Sequence, residues 1–158
     1  MKEGRDESLE ERADRNFEEI LQELRVSETG VQILFSLLLT VPFTQRFGQA
    51  TDYERGVYFA ALLLAACANV LLIAPVAHHR LLFQHHQKAH LVRVASRFAL
   101  AGLVALWLAL TAVLLLVTDV LFHGLTAELV AGAFGALTLA TWFVAPLAHL
   151  RRAARSRQ

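Results

Sequence analysis

From residue 29 onward the chain alternates between long apolar runs and short polar connections. Four runs stand out, at about 30–47, 53–77, 97–122 and 128–150. A helix needs roughly 20 apolar residues to cross a hydrocarbon core of ~30 Å. The last three runs meet that length. The first is short. Its apolar core is Val31–Phe43, interrupted by Gln32, Ser36 and Thr40, so both a spanning helix and a re-entrant or interfacial segment stay open. Ahead of the runs, Leu9, Ala13, Phe17, Ile20, Leu21 and Leu24 recur mostly at steps of three and four, the spacing of one helical stripe. The pattern predicts a separate amphipathic helix over 1–28, a four-helix transmembrane domain over 29–150 and a short tail over 151–158.

Composition supports a membrane class. Hydrophobic residues make up 56% and charged residues 18%, against about 45–50% and about 25% in soluble domains. Disorder, a collagenous repeat and a disulfide scaffold are excluded, and the single Cys67 sits in an apolar run. The net charge of +1 points to no nucleic-acid partner. The distribution of charge says more. Residues 1–28 hold five basic and ten acidic residues, a net charge of −5, with Glu11 and Arg15 spaced to pair on a helix. They lack the basic start and apolar core of a signal peptide. The 78–97 connection carries Arg80, Lys88, Arg93 and Arg97 without an acid, and the tail carries Arg151, Arg152, Arg155 and Arg157. The other connections hold Arg46 and Arg55 beside Asp52 and Glu54, or no basic residue at all. The excess of basic residues on one side predicts a cytoplasmic 78–97 loop and C-terminus. The N-terminus is cytoplasmic as well if the first run spans.

An internal repeat favours spanning. Ala74-Pro75-Val76-Ala77-His78 and Ala145-Pro146-Leu147-Ala148-His149 share Ala-Pro-x-Ala-His at an offset of 71, and Arg25-Val26 and Arg93-Val94 precede runs one and three at an offset of 68. This predicts two repeated helical hairpins of one orientation, related by an axis along the membrane normal.

The strings Leu21-Gln22-Glu23-Leu24-Arg25-Val26, Gly30-Val31-Gln32, Pro42-Phe43 and Arg46-Phe47 resemble the opening of a family of small bacterial membrane proteins of unknown function. So do Leu71-Leu72-Ile73-Ala74-Pro75, His79-Arg80-Leu81-Leu82-Phe83 and Leu115-Leu116-Val117-Thr118-Asp119-Val120. The resemblance covers residues 21–150 and implies four transmembrane helices. Members are sometimes labelled sodium:proton antiporters. Proteins of that activity are far larger and carry ionisable residues near the membrane midplane, and none is expected there in this chain.

Polar residues inside membrane spans are the first place to look for function. Asp119, near the outer end of run three, and Glu128 across the loop could gather cations at an outer mouth; Asp119 also reads as an interfacial acid ending a helix. Glu28 and Gln32 are expected at the start of run one, lining an inner vestibule or serving with Thr29 as cap and packing residues. Asn69 is the amide deep in run two, an interhelical hydrogen-bonding residue or an ion ligand. Thr111, Thr138 and Thr141 need no role beyond bonding their own helices. Pro42, Pro75 and Pro146 are candidate kinks. His78 and His149, each three residues after its Pro, could form a pH-sensitive inner ring or place a cation at a helix end. His86 and His90 are spaced as metal ligands and share a face with His79, but no Cys or acid in the loop completes a site. No cofactor is implied. Neither a phosphate loop nor a nucleophile elbow is present, so an enzyme is not expected.

Small-residue ridges occur at Ala101-Ala105-Ala109, at Gly132-Ala136-Ala140 and at Ala61-Ala65 leading to Asn69, the kind that lets membrane helices approach closely. Tyr53, Tyr58 and Phe47 are candidates for an outer aromatic belt. The sequence leads to an all-α membrane protein, a four-transmembrane-helix bundle. Its expected activity is that of an oligomeric channel or transporter-like protein for small ions, with small cations or protons as candidate partners beside the lipid bilayer. The alternative is a structural or accessory subunit that binds a partner protein.

Overall fold

The computed structural model describes residues 9–82, 88–122 and 124–155, all in helices or short turns. Helix α1 spans Leu9–Thr40, α2 Asp52–Leu82, α3 Lys88–Phe122, α4 Leu125–Leu139 and α5 Ala145–Arg155. Between α1 and α2 lie two 3₁₀ turns, Val41–Phe43 and Gln45–Gln49. A π-helical segment, Ala140–Val144, joins α4 to α5.

Four stretches are long and apolar enough to cross a membrane: Glu19–Phe43, Asp52–His78, Arg93–Phe122 and Leu125–His149. No more than 28% of the apolar window in any of them is buried inside the protein. The remaining apolar surface, including Leu37, Phe59, Val70, Leu121 and Leu137, suits contact with lipid tails. The chain is a membrane protein with four candidate spanning helices.

The first run is not a short segment that begins near residue 30. Helix α1 continues without interruption through Glu28, Thr29 and Gly30. Thr29 Oγ1 donates to the carbonyl of Arg25 at 3.0 Å, a bond within a helix and not a cap. The expected helix start at Glu28–Thr29 is therefore wrong. The acid-rich composition ends there, but charged residues with good helix propensity do not break a helix. The stripe Leu24, Val31 and Leu38 is buried at seven-residue spacing on both sides of the junction.

Pro42 ends α1 and does not kink it. The residue before a proline is disfavoured in α conformation, and Val41–Phe43 tightens into a 3₁₀ turn closed by Thr44 N–H and Oγ1 on the Val41 carbonyl at 3.1 and 2.7 Å. Helix α2 starts with a reciprocal cap. Glu54 N–H donates to Thr51 Oγ1 at 3.2 Å and Thr51 N–H donates to Glu54 Oε2 at 2.6 Å, the pattern of a capping box. From there α2 buries Glu54, Tyr58, Ala61, Ala65, Ala68, Leu72 and Pro75 at alternating steps of four and three, the spacing of a close-packed helical seam.

The chain divides into two compact units, Met1–Leu39 with Ala65–Ala105, and Thr40–Leu64 with Leu106–Gln158. In the first, Gly102 lets α3 approach α2: a Cβ there would come within 2.7 Å of Leu72 Cδ2, and Leu72 is itself fully buried. In the second, α3 meets α4. Trp107 Nε1 donates to the Gly135 carbonyl at 2.9 Å, a Cβ on Gly135 would lie 3.2 Å from Thr111 Cγ2, and the Trp107 ring contacts Phe143 edge-on at 6.4 Å.

The buried row of α4 is Ala127, Ala131, Gly135 and Thr138. The expected ridge of Gly132, Ala136 and Ala140 lies on an exposed face, one residue away from the packed one. Ala61, Ala65, Ala105 and Ala109 are buried as expected, while Ala101 is exposed. Gly124, at φ 70°, makes the turn into α4 in a backbone region that other residues rarely adopt.

Candidate functional site: polar groups buried in the helices

A polar atom taken out of water without a partner is costly, and most such atoms in folded proteins are satisfied. The second unit follows that rule. Thr111, Thr118 and Thr138 donate to carbonyls one turn back, at Trp107, Leu114 and Phe134, over 2.6–2.9 Å. Exposed Thr141 does the same to Leu137 at 3.0 Å. Glu54 is only 3% exposed. Its Oε2 accepts from Thr51 N–H and its Oε1 faces Arg46 Nη2 at 3.5 Å. The Phe47 and Tyr58 rings meet edge-on at 5.0 Å beside it. Tyr58 is buried and so does not belong to a surface belt, whereas Tyr53 is exposed.

The first unit departs from the rule. Glu28 Oε1 and Asn69 Oδ1 are buried with no hydrogen-bond partner among the described residues. Both atoms are acceptors. Glu28 precedes Thr40 by twelve residues, about 18 Å at 1.5 Å per residue, so its carboxyl lies well inside the first span. Asn69 follows Asp52 by seventeen residues, about 26 Å by the same rise. Each sits in the half of its candidate span away from the 41–51 connection. Glu28 belongs inside a span because α1 runs on through it, not at a helix N-terminus where sequence reasoning put it.

His78 is half-buried in the same unit. Its Nδ1 lies 2.9 Å from the Ala74 carbonyl, and its ring packs on Phe98 with centroids 5.2 Å apart. A carbonyl only accepts, so Nδ1 carries a proton and a neutral ring keeps Nε2 as an acceptor. Pro75, three residues before it, is fully buried within an unbroken α2. The second Ala-Pro-x-Ala-His string differs: Pro146 and His149 are exposed. The helix there widens into the π segment, with Ala145 N–H bonded back to the Ala140 carbonyl, which makes room for a ring that would otherwise press on the carbonyl four residues earlier.

The remaining candidates do not join these groups. Gln32 is exposed on α1. Asp119 is half-buried near the end of α3, and Glu128 is exposed in the first turn of α4, where the helix dipole favours an anion. Among the described residues no three of His, Cys, Asp and Glu gather as metal ligands. His86 and the side chains of His79 and His90 lie outside the described residues, as do the side chains of Leu9, Ala13 and Phe17 in the expected amphipathic stripe. The Arg46–Glu54–Thr51 cluster was missed in the sequence, although Thr51-Asp52-Tyr53-Glu54 ahead of an apolar run carries its signature.

The model of one family, a family of unknown function (DUF6328), matches residues 6–146. The chain belongs to that family. No curated protein and no solved structure matches it.

Proposed function

We propose that this DUF6328 member is an oligomeric channel or transporter-like protein for small cations or protons. The observation that carries the reading is the pair of buried acceptor oxygens without partners, Glu28 Oε1 and Asn69 Oδ1, within candidate membrane spans. A carboxylate and an amide oxygen are ligands for a hard cation, and a carboxylate also takes a proton. Ionisable residues in membrane spans commonly mark ion paths. His78 Nε2 is a further acceptor in the same unit. Asp119 and Glu128 would serve an outer mouth, with Gln32 and His149 as supporting residues toward the inner side. A four-helix chain has little room for a path, so a symmetric ring of copies supplies it.

We place the chain in a bacterial inner membrane with both termini cytoplasmic, and the basic residues of the 78–97 segment and of the tail support that orientation. The net charge of −5 over residues 1–28 suits contact with that basic segment or with a neighbouring copy. The two Ala-Pro-x-Ala-His strings support an origin in two repeated hairpins, whatever their present surroundings. We assign no enzymatic activity.

The test is native mass spectrometry from lipid nanodiscs joined to cation flux in proteoliposomes. A ring of three or more copies and flux above protein-free liposomes are expected. A monomer without flux overturns the reading. The second reading is an accessory subunit without transport. The closed polar groups of the second unit favour it, and co-purification of a stoichiometric partner protein would establish it.

A further inference from the structure

The second unit contains an open groove of about 80 Å³ beside the Arg46–Glu54 pair. Its walls are apolar: Val41 and Phe47 from the 3₁₀ turns, and Leu116 and Val120 from α3. Two charged side chains reach it, Arg46 and Glu54, and they differ in what they have left to offer. Glu54 is buried and both of its oxygens are engaged, by Thr51 N–H and by Arg46. The side chain of Arg46 is 49% exposed and approaches Glu54 through Nη2 alone, at the long distance of 3.5 Å. A guanidinium has five N–H donors in a planar fork. The inward charge is matched, and the outward edge of the fork is available to an anion.

The position of the groove says which anion. It lies between the end of the first candidate span at Phe43 and the start of the second at Asp52, at the level where hydrocarbon gives way to headgroups. Phe43 and Tyr53, 89% and 53% exposed, flank it as aromatic residues do at a membrane interface. A ligand there meets an apolar wall and one guanidinium at the same depth. We propose that this groove is a phospholipid site, with the headgroup phosphate on Arg46 and the start of an acyl chain against Leu116 and Val120. Guanidinium and phosphate match in charge and in planar, two-point geometry. Glu54 acts as a positioning residue that holds the guanidinium at the rim. The site shares no residue with the transport reading, whose carrying pair, Glu28 and Asn69, lies in the other unit.

The experiment is native mass spectrometry of the full chain released from detergent after equilibration with phosphatidylglycerol, with a phosphate-free galactolipid of matched chains, or with inorganic phosphate as competitor. One retained phosphatidylglycerol per chain is expected, with at least a fivefold preference over the galactolipid and no displacement by millimolar phosphate. Val120→Trp fills the groove and leaves the ion pair in place. The double variant Arg46→Gln/Glu54→Gln removes the cation but keeps an acceptor for Thr51 N–H. Each is expected to lower retention fivefold or more with helix content unchanged by circular dichroism. Equal retention of the galactolipid, or undiminished retention in both variants, overturns the proposal. Displacement by inorganic phosphate would show a free-anion site and overturn the lipid assignment.

Discussion

The two units of this chain treat their polar groups in opposite ways. In the second, Glu54 is capped and ion-paired, Trp107 has the Gly135 carbonyl, and the threonines bond their own helices. In the first, Glu28 and Asn69 each keep a buried acceptor without a partner among the described residues. Closed polar groups specify a structure; open ones cost stability and persist where something else uses them. The transport proposal rests on this contrast. The two Ala-Pro-x-Ala-His strings diverge in another respect, the packing around identical residues. Pro75 and His78 are packed into α2, while Pro146 and His149 are exposed around a π-widened turn.

Substitutions can break this comparison. The largest loss is expected from Glu54→Leu, which removes the cap of α2 and leaves Arg46 without its partner. A destabilisation of about 2–3 kcal/mol is expected, read as the midpoint of unfolding in mixed detergent micelles; a change near zero would show that the cluster is not structural. Gly102→Ala in the first unit is expected to cost about 2 kcal/mol, because the added methyl meets a fully buried Leu72. Gly135→Ala in the second, where the nearest atom is 3.2 Å away, should cost less than half of that by the same assay. Asn69→Leu is expected to reverse the sign. Replacing an unpartnered buried amide with an apolar side chain of similar size should stabilise the protein by about 1 kcal/mol and lower cation flux. Trp107→Phe, which removes one satisfied bond, should destabilise by about 0.6 kcal/mol. If both substitutions destabilise alike, the two units do not differ in the way described.

Much of the fold was legible in the hydropathy pattern. Three of the four spans begin and end within a few residues of the expected positions, because runs of twenty apolar residues have few alternatives. What failed was local. The boundary at residue 28 was drawn where charge density changes, but a helix ends where hydrogen bonding or a proline ends it, and here that is Thr40 before Pro42. The packed face of α4 was missed by one residue, since Ala131 and Gly135 neighbour the equally small Gly132 and Ala136. The choice between them is made by the Trp107–Gly135 bond, a long-range contact that helix periodicity does not encode. Pro75 and Pro146 sit in matching strings, and only packing separates them. The capping box at Thr51–Glu54 was legible in the sequence and was nonetheless missed.

The most direct test of the assignment is to measure cation flux and thermal stability together for Glu28→Gln at matched protein density in proteoliposomes. The variant keeps the size of the side chain and removes its charge. The expected result is at least a tenfold loss of flux with a midpoint of unfolding equal to or above that of the unsubstituted protein. Flux that is unchanged while stability falls would contradict it, and would place Glu28 among the groups that hold the fold together.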